Sequence, residues 1–202
     1  MATAIVACGI CKDELEAALR RLGGSAPVYY LPGAPCAEPA AFERRLERAL
    51  RRATAVADDV VVVIGECHPG IDAVVARFGA RRSTMTNCFD VLLEGRSKEL
   101  CREVNTFFTT PAWLRQWPTL RRTLGWGEVD VRQNFGVYER VLMLDAGLTP
   151  YTESDVLGFF DDTNVVIDIL PITLGGLVGL LQRELTVIPG AKRQKELTDV
   201  VA

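Results

Sequence analysis

The chain has 202 residues, 49% of them hydrophobic and 24% charged, with a formal net charge of -3. That length supports a sizeable core in one domain or two small lobes, and the balance excludes a disordered, collagen-like or low-complexity chain. The slight acidity offers no basic field for nucleic acid, and arginine mixes with glutamate along residues 41–53 as on a solvated helix face.

Strand and helix signals alternate from the start. Residues 2–8 form a continuous apolar run, as in a strand covered on both faces. Leu15, Ala18, Leu19 and Leu22 then recur at helical spacing, and Gly23-Gly24 ends that helix. A second strand is predicted over residues 27–31. A second amphipathic helix, entered through Pro39, carries Phe42, Leu46, Ala49, Leu50 and Ala53. Residues 60–64, all β-branched, are the clearest strand.

A short helix is predicted over residues 70–78 and a fourth strand over 83–86. From Cys88 the spacing is again helical, with Leu93, Leu100, Cys101 and Val104 on one face. Core packing is therefore the expected role of Cys101. Residues 106–110 suggest a strand, followed by a helix opened by Pro111 and containing Trp113 and Trp117. Residues 125–135 are rich in turn formers. Strands are expected over 138–144, 165–170 and 186–188, and helices over 152–160 and 174–185. Thr152 or Ser154 is a possible cap of the first of these. Residues 165–181 are apolar but contain Asp168, Pro171 and three glycines, so they read as a strand and a helix rather than a membrane span.

This order predicts a Rossmann-like parallel α/β fold with right-handed crossovers. Two small lobes are expected, residues 1–105 and 106–202, with a cleft where the strands reach their carboxyl ends. Sites in such sheets form beyond those ends. No targeting segment is visible, so a cytoplasmic location with reduced thiols is expected.

Four of the six cysteines follow successive strands: Cys8, Cys36, Cys67 and Cys88. In a parallel sheet those loops share one edge, so the thiols can converge as ligands of zinc, copper(I) or an iron–sulfur cluster. A helix start would also favour the thiolate at Cys88 and at Cys11. The competing reading is that these are small buried apolar residues. Cys8-Gly9-Ile10-Cys11 has the spacing of a thiol–disulfide exchange pair, although the downstream order is too long and regular for a thioredoxin core. His68, the sole histidine, could be a ligand, a proton carrier or a surface residue. Trp113 and Trp117 could floor a cofactor cleft or cover the sheet. Gly65 to Gly70 is not a phosphate loop, and Gly175-Gly176…Gly179 fits close helix packing.

Several segments resemble the family known only as domain-of-unknown-function family 1638, found in bacteria and methanogenic archaea. They are Ala7-Cys8-Gly9 with Glu14, Leu31-Pro32…Cys36…Pro39, Gly65-Glu66-Cys67, Asn87-Cys88-Phe89-Asp90…Leu92-Leu93-Glu94-Gly95, Thr106 to Trp113, and Val187-Ile188-Pro189-Gly190. The family commonly has histidine at the Cys36 position and a second glycine where His68 stands. The resemblance implies that Cys8, Cys67 and Cys88 matter. It also implies a His-or-Cys position at Cys36, an exchange that a metal ligand tolerates. Genes of the family tend to lie beside corrinoid-dependent methyltransferases.

The resulting expectation is a cysteine-ligated zinc or iron–sulfur protein serving corrinoid-linked methyl transfer, with a corrinoid protein or methyltransferase as partner and no nucleic acid or membrane. Cys8, Cys36, Cys67 and Cys88 would hold the metal. Glu14, His68, Thr110, Trp113 and Asp145 would face a cofactor or substrate. A zinc-dependent methyl or thiol transferase and a non-enzymatic cofactor-delivery protein are the alternatives.

Overall fold

A computed structural model describes residues 2–31 and 39–185 of the protein. The chain opens with β1 (Thr3–Cys8), a 3-10 turn (Gly9–Cys11) and α1 (Lys12–Arg21). It continues through β2 (Val28–Leu31), α2 (Pro39–Thr54), β3 (Asp59–Val63) and α3 (Ile71–Arg77). The short β4 (Arg81–Arg82), α4 (Cys88–Leu92) and α5 (Ser97–Glu103) follow. A second run comprises β5 (Thr106–Thr109), α6 (Pro111–Leu124), α7 (Glu128–Phe135) and β6 (Arg140–Asp145). It ends with α8 (Glu153–Thr163), β7 (Ile167–Pro171) and α9 (Gly175–Glu184).

The strands form two parallel sheets, one ordered β2-β1-β3-β4 and the other β5-β6-β7. This is the parallel α/β architecture expected from the alternation. β1 lies between two neighbours and is covered on both faces, which is why all six of its residues are buried. Its side chains alternate between two core clusters. Ala4, Val6 and Cys8 join Val60, Val62 and Ile64 with Trp113, Val141 and Met143. Ile5 and Ala7 join Val61 and Val63 with Leu142, Leu144 and Leu174. Each cluster therefore draws on both sheets.

The structure corrects four local expectations. The fourth strand is Arg81–Arg82 rather than residues 83–86. Beyond it the chain turns, with the Met85 N–H donating to Ser83 O at 2.9 Å. The helix expected from Cys88 through Val104 breaks between α4 and α5, because Glu94 (φ 54°) and Gly95 (φ 84°) are both left-handed. Cys101 is exposed, not core, and its thiol donates to Thr106 O at 3.9 Å. The turn-rich residues 125–135 contain α7, whose Val131 and Phe135 face the core one helical turn apart. The strand expected at residues 186–188 lies outside the described residues.

Packing explains the glycines of α9. A Cβ on Gly176 would lie 2.2 Å from Val91 O, so α4 and α9 approach backbone to backbone. Among the described residues no helix is long and apolar enough to cross a membrane.

Candidate thiol centre

The carboxyl ends of the two sheets meet. Thr110, after β5, donates to Ile10 O, after β1, at 3.5 Å. The Thr149 hydroxyl, after β6, donates to the Asp13 carboxylate. Thr173, after β7, donates to Glu94 Oε1 at 3.1 Å. Every residue in these pairs lies past the end of a strand, so the junction is where the topology rule places a site.

Four thiols reach this junction. Cys8 is the last residue of β1 and is buried. Cys11 closes the 3-10 turn that follows. Cys67 lies between β3 and α3, and Cys88 is the first residue of α4. Asn87 fixes that helix start by accepting the Asp90 N–H at 2.7 Å. Gly65 lets the last two loops touch. A Cβ there would stand 2.5 Å from Asn87 Cα and 2.6 Å from Thr86 O, and the adjacent Glu66 N–H donates to Thr86 O at 2.7 Å. A cavity of about 20 Å3, roughly one water in size, adjoins Cys8, Cys11, Cys88, Met85 and Leu177.

Cys88 is the hub. Hydrogen bonds from Cys11 first, then from Cys67 and Cys8, hold its thiol well below the ordinary value, against the opposing effect of burial. The Gly65 backbone N–H adds to this. The Cys11 thiol moves the other way. Its hydrogen bond to Cys88 is the main cause, followed by burial and by the negative charges of Cys88, Cys8 and Glu14. The two shifts have one cause: the hydrogen bond between the pair favours the ionised form at Cys88 and the protonated form at Cys11.

Glu14 projects from α1 and is 1% exposed. Burial raises its pKa to about 7, its own backbone N–H pulls the other way, and Asp13 and Asp145 add to the rise. Its Oε2 has no hydrogen-bond partner among the described residues. Asp145, at the end of β6, accepts the Gly147 N–H at 2.7 Å and the Tyr151 hydroxyl at 3.3 Å.

The other expected site residues are placed as follows. Thr110 caps α6, its Oγ accepting the Trp113 N–H at 3.3 Å. The Trp113 ring is buried in an aromatic cluster with Phe107, Trp117 and Phe159 at centroid distances of 5.3 to 5.7 Å. His68 stacks on Phe42 at 5.2 Å and accepts the Gly70 N–H at Nδ1, at 3.2 Å. Cys36 lies outside the described residues.

The structure adds Cys11, the second member of the Cys8-Gly9-Ile10-Cys11 pair, to the thiols at the junction. The signal was its spacing from Cys8, which one tight turn converts into proximity. None of Cys8, Cys11, Cys67, Cys88 and Cys101 is in a disulfide. Among the described residues no group of three or more His, Cys, Asp or Glu side chains is arranged to hold a metal ion. Thiols hydrogen-bonded to one another differ from thiolates placed about 2.3 Å from a shared ion.

No curated protein matches the chain. A family described as "Protein of unknown function (DUF1638)" matches residues 31–181. The match includes Cys36, Cys67 and Cys88 and begins after Cys8, Cys11 and Glu14. It spans well over half of the sequence, and the chain belongs to the DUF1638 family.

Proposed function

We propose that the protein is a thiolate metal protein in which Cys8, Cys67 and Cys88, joined by Cys11, hold zinc or an iron–sulfur centre for corrinoid-linked methyl transfer. One observation carries this reading: the Cys88 sulfur interacts with three other thiols drawn from two other loops. Cysteines that merely fill a core pack against carbon and stay neutral. Thiols that favour the ionised form of one of their number suit a soft metal, which prefers sulfur donors. Zinc would act as a Lewis acid, whereas an iron–sulfur centre would carry electrons. The link to corrinoid chemistry is supported by the family resemblance and its gene neighbourhoods.

Elemental analysis and an absorbance spectrum of protein purified without oxygen test this function. Stoichiometric zinc, or iron with sulfide and visible absorbance, is expected. A preparation with neither overturns it. Ligand thiols must lose protons to bind metal, so uptake of added zinc should release protons and strengthen as pH rises.

A second reading, a zinc-dependent methyl or thiol transferase, draws support from the small cavity beside Cys8, Cys11 and Cys88. Such an enzyme keeps one coordination position for substrate. Methyl transfer from methylcobalamin to an added thiol, accelerated by zinc-loaded protein and not by the Cys88→Ser variant, is the expected result. Equal rates with both proteins would rule it out.

A further inference from the structure

We propose that Arg82 is the positioning residue that holds the Cys67 and Cys88 loops together, an inference that builds on the thiol-centre reading. Arg82 ends β4 on the edge of the first sheet, yet only 12% of its side chain is exposed. One edge of its guanidinium group grips α3, with Nε and Nη2 donating to Asp72 at 2.6 and 3.2 Å. Its Nη1 turns inward and donates to Met85 O at 3.1 Å and to Ile64 O at 3.4 Å.

Those two carbonyls bracket the site. Ile64 starts the segment Gly65-Glu66-Cys67, and Met85 leads through Thr86-Asn87 into Cys88 while also lining the cavity. Glu66, within that first segment, lies 3.8 Å from the same guanidinium. The planar group thus binds at once the Ile64 carbonyl, which leads into the Cys67 loop, and the Met85 carbonyl, which leads into Cys88. A lysine ammonium keeps the charge but lacks this fork. The positive charge also acts on Cys67, since the two groups interact electrostatically.

Arg81 provides an internal control. It precedes Arg82 on the same strand and pairs with Asp59 at 3.2 Å and Glu184 at 2.5 Å, away from both loops. Removing it deletes ion pairs of the same kind without releasing either cysteine loop.

The test uses phenylarsine oxide on the full chain without oxygen, with the bridged peptides mapped by mass spectrometry. Each arsenic exchanges its oxide for two neighbouring sulfurs, and the two thiol protons leave with that oxygen as water. The wild type should give a Cys67–Cys88 adduct beside the Cys11–Cys88 adduct that their hydrogen bond favours. Arg82→Gln should lower the Cys67–Cys88 yield about tenfold while the Cys8–Cys11 adduct stays at the wild-type level. Arg82→Lys should stay folded and recover only part of the yield, and it decides the matter if Arg82→Gln fails to fold. Arg81→Gln should match the wild type.

The proposal is overturned if the wild type forms no Cys67–Cys88 adduct, if both Arg82 variants keep full yield, or if Arg81→Gln loses as much as they do. A uniform fall in every adduct would equally contradict it, because general loosening spares no pair. The readout needs no bound metal. A metal-free wild type with the expected adducts would sink the proposed function and leave the role of Arg82 standing.

Discussion

The two sheets share a topology and carry different chemistry. Both are parallel and both present their carboxyl ends to one junction. The four-stranded sheet brings sulfur there: Cys8, Cys11, Cys67 and Cys88. The three-stranded sheet brings oxygen, from Thr110, Thr149 and Asp145. Its helices instead build an aromatic core, in which Trp117 contacts Trp113, Trp126, Phe135 and Phe159. The lesson is that one half supplies the thiols and the other supplies the wall and the charge around them. Glu14 sits between these roles, rising from the sulfur side and feeling Asp145 across the junction.

This division can be broken by substitution. The largest expected effect on stability is in the wall. Trp117 is fully buried, and its indole N–H donates to Asp162 at 2.7 Å. Trp117→Ala should cost about 3–5 kcal/mol in denaturant unfolding while leaving the reaction of the thiols with phenylarsine oxide intact wherever the protein is folded. A change in the thiols of that folded protein would erase the distinction between wall and centre.

Glu14 comes next. Its carboxyl has a pKa of about 7 in the fold against 4.5 ordinarily. The folded state therefore binds more protons than the unfolded chain between those values, so stability falls as pH rises from 4.5 to 7 and levels off above. The full span is at most about 3 kcal/mol. Glu14→Gln should remove most of that decline when unfolding is followed at pH 5 and at pH 8. An unchanged slope would show that Glu14 is not the group responsible.

Gly65 should rank third. Gly65→Ala places a carbon against the Thr86-Asn87 backbone. Backbone cannot swing aside, so a loss of about 1–3 kcal/mol is expected, together with a weaker Cys67–Cys88 adduct. The smallest effect belongs to Cys101, which is exposed and away from the junction. Cys101→Ser should change stability by no more than about 0.5 kcal/mol and leave metal content unaltered.

Much of the fold was legible because burial on both faces writes itself as unbroken apolar runs. Residues 2–8 and 60–64 are such runs, and they became the paired strands β1 and β3. The helices of α1 and α2 were legible through spacing, since Leu15, Phe42, Leu46 and Leu50 all reach the core. Where backbone geometry decides, composition misleads. Gly125 and Gly127 border α7 and made a helix look like a loop. Glu94 and Gly95 cut a helix that side-chain spacing alone would continue. That same misreading placed exposed Cys101 in the core.

The convergence of Cys8, Cys67 and Cys88 was legible through topology, because strand ends in a parallel sheet share an edge. Cys11 was harder, since its value depends on a 3-10 turn that spacing alone does not fix. Arg82 carried no signal in the sequence. Arginine on a two-residue edge strand looks solvated until the carbonyls of Ile64 and Met85 are found beneath it.

The most direct test of the central claim is a cadmium titration of the full chain without oxygen, followed through the ultraviolet charge-transfer band of cadmium–thiolate bonds. If the thiols form one centre with Cys88 as its hub, the wild type and Cys101→Ser should saturate at a defined stoichiometry, and Cys88→Ser should lose the band. A wild type that develops no such band, or a Cys88→Ser variant that titrates like it, would contradict the account.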